Sequence, residues 1–351
     1  MTKPRLHVLK YALLCAFVIL VVPFQGFGWG DVGHRVVARI ASRYLSPQAR
    51  AAVAQLLRVD STSNRSYYTA TCADVLALAD QPTLSDAETA RFVETGLACI
   101  ASWADPPVKD QRLYTSNWHF VDIPVSMNGP NGPVLSSFDV ARECRMNDKR
   151  GDCAFLALKR LSPVAGNEAE LAISRAEALK FIVHIIGDLH QPLHCITDKQ
   201  NINGSDPGDF GGNLKKVQFN VPAWDGNAHK DKNARWGSPW NLHSVWDEGL
   251  IDAYMKINNL TQDAYVTLLL KPVIQHPETL PHLQSGDLPA WMKESYSVAV
   301  NSAYKLPQLD STYHGYILTP AYYDSNHDVV NHQLLTGGVR LAAFLNKTFA
   351  P

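Results

Sequence analysis

One segment constrains the fold more than any other, because it is long and apolar and yet contains two potential metal ligands. From about Glu168 to His190 the chain has the pattern of a buried helix, with apolar residues at Leu171, Ile173, Ala176, Leu179, Ile182, Val183 and Ile186. Asn167 and Glu170 resemble a capping box at its start, and Pro192 ends or kinks it. His184 and Asp188 share one face of this helix, since each residue advances it by about 100°. A buried carboxylate without a partner is costly, so we expect Asp188 to have a charged or hydrogen-bonding partner.

A second His-x-x-x-Asp pair, His243 and Asp247, lies in NLHSVWDEG, where a helix is predicted from His243 to Met255. A single such pair is more often a surface hydrogen bond than a metal site. Two pairs, with His194 close behind the first, favour metal binding, and zinc accepts both ligand types at about 2.0–2.2 Å. Further residues of suitable chemistry are Asp105 in ASWAD, His119 in NWHF and His34 in WGDVGH.

The first 28 residues are interpreted as a secretory signal peptide. Lys3, Arg5 and Lys10 precede an apolar run from Tyr11 to Phe24, and small residues follow it. Cleavage after Gly28 makes Trp29 the new N-terminus, whose α-amino and carbonyl groups can chelate a metal. The rest of the chain has 33 acidic and 29 basic residues, a formal charge of −4. This balance lacks the basic character of a duplex-DNA binder, so a nucleic-acid substrate requires positive charge from bound metal.

Export permits disulfides, and removal of the leader leaves five cysteines. Cys144 is close in sequence to Cys153, and Cys72 is a candidate partner of Cys99, which leaves Cys195 as a buried thiol. The count alone does not fix this connectivity.

The remaining pattern predicts a mostly α, single-domain protein over residues 29–351, with no later membrane span. Helices are expected from Asp31 to about Leu45, from Pro47 to about Leu57 with Ser46 as N-cap, and near Val339 to Leu345. A loop is expected from Asn203 to Gly212 and a short strand from Val217 to Val221. Trp240, Trp246 and Trp291 are predicted to be core residues. The chain has no G-x-S-x-G elbow and no P-loop.

The motifs WGDVGH, ASWAD, NWHFVDIP, HIIGDLHQPLH, GGN and NLHSVWD occur in this order. Together they resemble the mung bean nuclease family, the three-zinc single-strand nucleases also called S-one/P-one nucleases. The C-terminal GGVRLAAFLN resembles the last helix of that family, so the resemblance covers nearly the whole chain after the leader. It implies a helical fold shared with zinc-dependent phospholipases C.

The resemblance also implies three Zn²⁺ sites. The first takes Asp105, His119, His184 and Asp188; the second takes His194, His243 and Asp247; the third takes Trp29, His34 and Asp188. The implied activity is an endonuclease that leaves 5′-phosphates on single-stranded DNA and RNA and also acts on 3′-nucleotides. Asp188 and Asp105 are assigned a catalytic role, acting through a bridging water that zinc activates. In the family, an aromatic residue at Phe120 stacks on a base and a carboxylate at Asp122 hydrogen-bonds it; the alternatives are a core aromatic and a solvated carboxylate.

Two departures bear on substrate choice. The segment at about 58–101 is longer than the family pattern and is a possible insertion, either over the cleft or as a surface feature. It contains Asp74 and Asp80 as rival ligands to Asp105. The family often has an arginine where this chain has Val108, with Lys109 as a candidate substitute.

Two alternative functions are a zinc-dependent phospholipase C and a non-enzymatic zinc-binding protein. The first differs in substrate, and the second would close its sites to water. No stable protein partner is implied. The expected location is secreted or periplasmic after cleavage before Trp29.

Overall fold

The computed structural model describes residues 29–105, 108–128, 134–144, 148–203, 205–219, 221 and 240–350. The N-terminal helices are α1 Asp31–Arg43, α2 Pro47–Ser63, α3 Arg65–Thr71, α4 Ala73–Ala79, α5 Asp86–Ile100 and α6 Val108–Gln111. The middle of the chain contains α7 Val140–Glu143, α8 Ala154–Gly166, α9 Ala172–Asp188, α10 Leu242–Ser244 and α11 Leu250–Ile257. The C-terminal helices are α12 Gln262–Gln275, α13 Leu280–Gln284, α14 Leu288–Val298 and α15 Pro320–Thr348.

Shorter helical turns and strands connect these helices. The 3₁₀ helices are Leu113–His119, Pro192–Cys195 and Pro277–Thr279, and π-helical turns cover Val245–Gly249 and Ala299–Ala303. The strands are β1 Pro124–Ser126, β2 Val134–Leu135, β3 Thr197–Asp198, β4 Lys216–Phe219, β5 Trp240–Asn241 and β6 Tyr316–Leu318. They form two small sheets, in the orders β2-β1-β3 and β5-β4-β6. The prediction of a mostly α fold is therefore confirmed.

Helix α9 is the central element of the core. It packs against α1, α2, α5, α8 and α15, and its residues from Ala178 to Asp188 are all buried. Its start was predicted wrongly. Asn167 ends α8 instead, and its side chain accepts a hydrogen bond from the Ala169 amide, so it does not cap α9. The helix begins after Leu171, which offers no side-chain cap, and ends at Asp188 rather than His190.

The ends of other helices and strands also differ from the prediction. Helix α1 ends at Arg43, whereas α2 extends to Ser63 from the predicted Ser46 cap, whose hydroxyl accepts the Ala49 amide. The last helix is far longer than predicted, because its N-terminal half is mostly polar and shows little apolar periodicity. The strand near Val217 begins one residue earlier and ends at Phe219.

Strand pairing brings two sequence-distant segments to the end of α9. Strand β1 follows the His119 segment, β3 follows the His194 segment, and the two strands pair in parallel with Pro124 opposite Thr197. Before the strands begin, the Val121 amide already donates to the His194 carbonyl at 2.8 Å. The small sheet therefore sets His119 and His194 side by side.

The segment at residues 58–101 is packed into the core rather than laid over the surface, since Tyr68, Phe92 and Leu97 are fully buried. The Cys72–Cys99 disulfide lies within it, and Cys144–Cys153 closes a second loop. Both predicted pairings are confirmed, and Cys195 is a free, buried thiol. The disulfides fit an extracellular location. The predicted signal peptide lies outside the described residues. Among the described helices, none has the length and hydrophobicity needed to cross a bilayer.

Candidate metal centre

The C-terminal turn of α9 presents Asp188 to three imidazoles. Both Asp188 and His184 are completely buried. Asp188 Oδ2 lies 3.1 Å from His184 Nε2 and 3.1 Å from His119 Nδ1, whereas Asp188 Oδ1 lies 3.2 Å from His34 Nε2. The two oxygens of one carboxylate thus face different histidines, which is the arrangement required of a carboxylate shared between two ions.

Asp105, His119 and His184 form the first cluster. Asp105 follows α5 in a tight turn, and its Oδ1 lies 3.6 Å from His184 Nε2 and 3.9 Å from His119 Nδ1. His119 ends a 3₁₀ helix and is fully buried, while Asp105 is at the edge of the cluster. The rival Asp80 instead forms an exposed ion pair with Arg65. Val108 begins α6 shortly after this turn, and the side chain of Lys109 is not among those that the structure describes.

His34, His184 and Asp188 form a second cluster, which meets the first at α9. His34 comes from α1, and its ring stacks on His184 with centroids 4.0 Å apart. Gly187 makes this approach possible, because a Cβ at that position would lie 2.8 Å from His34 Nδ1. Its place between His184 and Asp188 in HIIGDLH was a signal that the sequence reasoning missed.

His194, His243 and Asp247 form the third cluster. His243 Nε2 lies 3.0 Å from His194 Nε2 and 3.5 Å from Asp247 Oδ2. The predicted continuous α-helix through this motif is wrong, because Val245–Gly249 is a π-helical turn between α10 and α11. Such turns are rare and often occur at functional sites. Gln191, which the sequence reasoning did not single out, donates from Nε2 to Asp247 Oδ1 at 2.5 Å.

Backbone carbonyls orient three of the imidazoles. The Nδ1 atoms of His184, His194 and His243 lie 2.8, 2.6 and 2.7 Å from the carbonyl oxygens of Ala101, His119 and Gly211. A carbonyl only accepts, so each Nδ1 carries a proton and each ring directs its Nε2 atom into its cluster.

The facing nitrogens of His194 and His243 test whether a cation fits. Two lone pairs 3.0 Å apart repel each other unless a positive ion or a proton lies between them. Two nitrogens bound to one tetrahedral zinc at about 2.0–2.1 Å lie about 3.4 Å apart, close to this separation. Buried Asp105 Oδ1 also has no hydrogen-bond partner, and His34 Nε2 faces Asp188 Oδ1 at 3.2 Å without hydrogen-bond geometry. The three clusters therefore have the donor chemistry of metal sites.

Burial and charge act in opposite directions on these groups. Burial lowers the pKa of His184, but Asp188 and Asp105 outweigh it and raise that pKa to about 9. Burial likewise opposes ionisation of Asp188, yet His184 and the other imidazoles hold its pKa well below the usual value. Asp247 differs, because burial raises its pKa well above the usual value despite the hydrogen bond from Gln191. A metal ion therefore competes with a proton for His184.

Trp29 is fully buried beside these clusters. Its indole is near the position that a Cβ of Gly187 would take, and the next residue, Gly30, donates its amide to the Asp247 carbonyl at 3.0 Å. The start of the described chain thus lies against both α9 and the His243 segment.

Phe120 and Asp122 lie between His119 and β1, and both are half-buried. Phe120 is not part of the hydrophobic core. Asp122 lies near Arg150, whose pKa is raised mainly by its hydrogen bond to Asp148 and further by the charge of Asp122. Both residues follow His119, a member of the first cluster, closely in sequence. Trp240, Trp246 and Trp291, in contrast, are core residues as predicted.

Comparison with known proteins adds an independent finding. The sequence model of a family described as S1/P1 nuclease matches residues 29–350. Endonuclease 3 of Arabidopsis thaliana is 25% identical over 92% of this chain and 89% of its own length. Nuclease P1 of Penicillium citrinum is 26% identical, over 91% of this chain and 97% of its own. Nuclease S1 of Aspergillus oryzae is 24% identical over 91% of each chain.

Proposed function

This chain belongs to the S1/P1 nuclease family and is a hydrolase of nucleic acids, and we propose that it is a zinc-dependent endonuclease of single-stranded DNA and RNA. Its products carry 5′-phosphates, and it also removes phosphate from 3′-nucleotides. The observation that carries the metal dependence is the grouping of eight predicted side-chain ligands into three clusters of closely spaced ligand atoms.

Three Zn²⁺ ions are proposed, with Asp188 shared between two of them. Asp105, His119, His184 and Asp188 hold the ion of the first cluster, and His194, His243 and Asp247 hold the ion of the third cluster. His34, Asp188 and the amino and carbonyl groups of Trp29 hold the ion of the second cluster. The two separately directed oxygens of Asp188 support the shared role. The carbonyl-bound Nδ1 atoms support ligation through Nε2 for His184, His194 and His243.

When bound at these residues, zinc would supply Lewis acidity toward the phosphate and would lower the pKa of a water. The protein residues fix the geometry. Asp188 holds two sites at a set separation from inside the core, and Asp105, the most exposed member of the first cluster, completes that site at its edge. Three buried carbonyl contacts fix a proton on Nδ1 of His184, His194 and His243 and direct Nε2 of each ring into its cluster. No protein nucleophile is required.

Single-strand preference follows from Phe120 and Asp122. Stacking on an aromatic ring requires a base that is not already stacked in a duplex, and it tolerates any base identity. The half-buried ring of Phe120 next to His119 supports such stacking, and Asp122 is proposed to hydrogen-bond the base. Phe120→Ala is expected to raise KM for dinucleotides about tenfold, since stacking contributes roughly 1–3 kcal/mol per base. Phe344→Ala, at a half-buried ring on α15, is the control. An unchanged KM would assign Phe120 to packing.

The proposal is tested by elemental analysis combined with product analysis. We expect about three zinc ions per chain and 5′-mononucleotide release from single-stranded substrates, with little from duplexes. Stoichiometric zinc without release from any nucleic acid would defeat the nuclease proposal. A choline-phospholipid substrate assayed in parallel tests the phospholipase alternative, and failure of phosphate to bind at the metals would favour a closed, non-enzymatic zinc site.

Cleavage of the signal peptide before Trp29 is proposed together with the metal ligands, because the ion held by Trp29 requires a free α-amino group there. The disulfides support an oxidising compartment. The mass of the secreted chain tests the cleavage position. A fully active chain that retains residues ahead of Trp29 would remove the terminal amine from the ligand set.

A further inference from the structure

Behind the metal clusters lie two buried networks with the same chemistry. Each consists of a tyrosine hydroxyl, an aspartate and a lysine ammonium. The first contains Tyr68, Asp60 and Lys180, and the second contains Tyr304, Asp209 and Lys215. None of these six residues belongs to the proposed ligand set.

The first network is almost completely enclosed. Tyr68 donates to Asp60 Oδ2 at 2.8 Å, and Lys180 Nζ donates to Asp60 Oδ1 at 2.7 Å. Asp60 and Lys180 are 1% and 2% exposed. Burying such a pair is expensive even when it is matched, which is weak support for a stabilising role alone.

Lys180 connects this network to the first metal cluster. Its ammonium lies 3.7 Å from the ring centroid of Trp103, and it precedes His184 by one turn of α9. Trp103 belongs to the tight turn from Ile100 to Asp105, which provides both the carbonyl that orients His184 and the carboxylate of Asp105. The cation–π contact therefore holds this turn against α9.

The second network supports a different segment. Tyr304 donates to both oxygens of Asp209, at 2.9 and 3.0 Å, and Lys215 Nζ lies 3.4 Å from Asp209 Oδ2. Lys215 also bonds Asp198 at 2.8 Å, and Asp209 in turn accepts the Asp198 amide. The network thus closes the loop that joins β3 to β4.

That loop orients His243. Gly208, Phe210, Gly211 and Gly212 all have positive φ angles, of 80°, 54°, 61° and 82°. The Gly211 carbonyl lies 2.7 Å from His243 Nδ1, and the Lys215 carbonyl accepts the Leu242 amide at 2.9 Å. Glycine adopts such angles freely, whereas Phe210 does so only where surrounding contacts hold it, and its amide donates to Thr197 Oγ1 at 3.3 Å.

We propose that the two Tyr–Asp–Lys networks are positioning networks, one for each side of the metal centre: Tyr68–Asp60–Lys180 sets the geometry of the Asp105/His119/His184 cluster, and Tyr304–Asp209–Lys215 sets that of the His194/His243/Asp247 cluster. This inference rests on the proposed zinc binding. It assigns the segment at 58–101 a role in shaping a metal site from behind, through Tyr68 and the end of α2.

The test compares Tyr68→Phe and Tyr304→Phe, which each remove one buried hydroxyl and little volume. Tyr265→Phe is the matched control, because its buried hydroxyl bonds Asn331 and connects to neither cluster. Zinc retention is measured against graded chelator concentrations, and anomalous zinc scattering from crystals assigns each loss to a site. Lys180→Met and Lys215→Met repeat the test with a larger perturbation.

We expect a crossed pattern. Changes at Tyr68 or Lys180 weaken zinc binding at the first cluster by roughly tenfold, the lower end for residues that orient ligands, and leave the His243 cluster unchanged. Changes at Tyr304 or Lys215 do the reverse. Variants that lower the Tm of the zinc-free protein but leave both zinc affinities unchanged would overturn the inference, as would equal weakening at both clusters. A wild-type protein without zinc would instead refute the proposed function.

Discussion

The two sides of the metal centre are built from different kinds of structure. On the Asp188 side, three of the five ligands lie on long helices, with His34 on α1 and His184 and Asp188 on α9, while Asp105 and His119 come from a turn and a 3₁₀ helix. The His243 side is carried by a 3₁₀ turn, a π-helical turn and a loop with four residues at positive φ. The first side derives its geometry from helix packing, whereas the second depends on specific backbone contacts.

The supporting networks differ in the same way. The Lys180 network is sealed in the core, but Asp198, Asp209 and Lys215 also line a cavity of about 530 Å³. Solvent and salt reach the second network more readily, so its charges are screened more effectively. The Asp188 side is therefore expected to be the rigid half of the centre and the His243 side the more adjustable half.

The largest effect is expected from Asp188→Asn, since one change affects two ions. The amide retains the shape but loses the charge that both sites require, so kcat/KM falls by about 1000-fold or more. Zinc content should fall by at least one ion per chain. Asp328→Asn, at an exposed carboxylate, is the control. Full activity in Asp188→Asn would end the shared role.

His243→Ala tests whether the two sides are independent. It removes one ligand from the third cluster and leaves the Asp188 carboxylate and its neighbours in place. Two of three zinc ions should remain, and kcat/KM should fall by about 100-fold, because one Lewis acid is lost. Loss of all zinc would show that the sides form one cooperative unit.

The sequence predicted the local structure of the Asp188 side better than that of the His243 side. The spacing of His184 and Asp188 predicted their shared helix face, because α9 is a regular helix from Ala172 onward. The same rule grouped His243 with Asp247 but implied a continuous α-helix, and the π-helical turn was missed. No local pattern distinguishes one inserted residue in a helix from a regular turn, since tertiary contacts select it.

Contacts between distant segments were beyond local reasoning. Ala101 and Gly211 support their histidines through backbone carbonyls, which any residue type provides. Asn167 has the side chain of a helix cap, but the preceding helix α8 uses that position to end. The family motifs located the ligands because their residues reflect the three-dimensional arrangement of the site. Periodicity describes only one helix or strand at a time.

Gly211→Ala tests the adjustable side alone. Gly211 has a φ of 61°, and an added Cβ would lie 2.1 Å from the Leu193 carbonyl oxygen, so the loop must shift away from His243. Zinc affinity at the third cluster should fall by roughly 10-fold, with the ions at Asp188 retained. Gly286→Ala, also at positive φ but remote from the ligands, is the control for strain alone. Equal zinc loss in both variants would mean that the loop does not orient His243 specifically.

The last prediction removes no ligand and concerns the pH dependence of the zinc-free protein. In the folded state Asp188 and Asp105 raise the pKa of His184 to about 9 against the opposing effect of burial, whereas the unfolded value is 6.5. The folded protein therefore binds the extra proton, and this stabilisation is full below pH 6.5 and lost as pH rises through about 9. Protonation of His184 therefore stabilises the folded zinc-free protein by at most about 3 kcal/mol. Asp247, whose pKa burial also raises, contributes with the same sign. The Tm of the zinc-free protein should thus fall between pH 6.5 and 9, while the zinc-loaded protein, in which metal replaces the proton, should not show this fall. A zinc-free Tm that is constant or rises across that range would contradict the charge arrangement around His184.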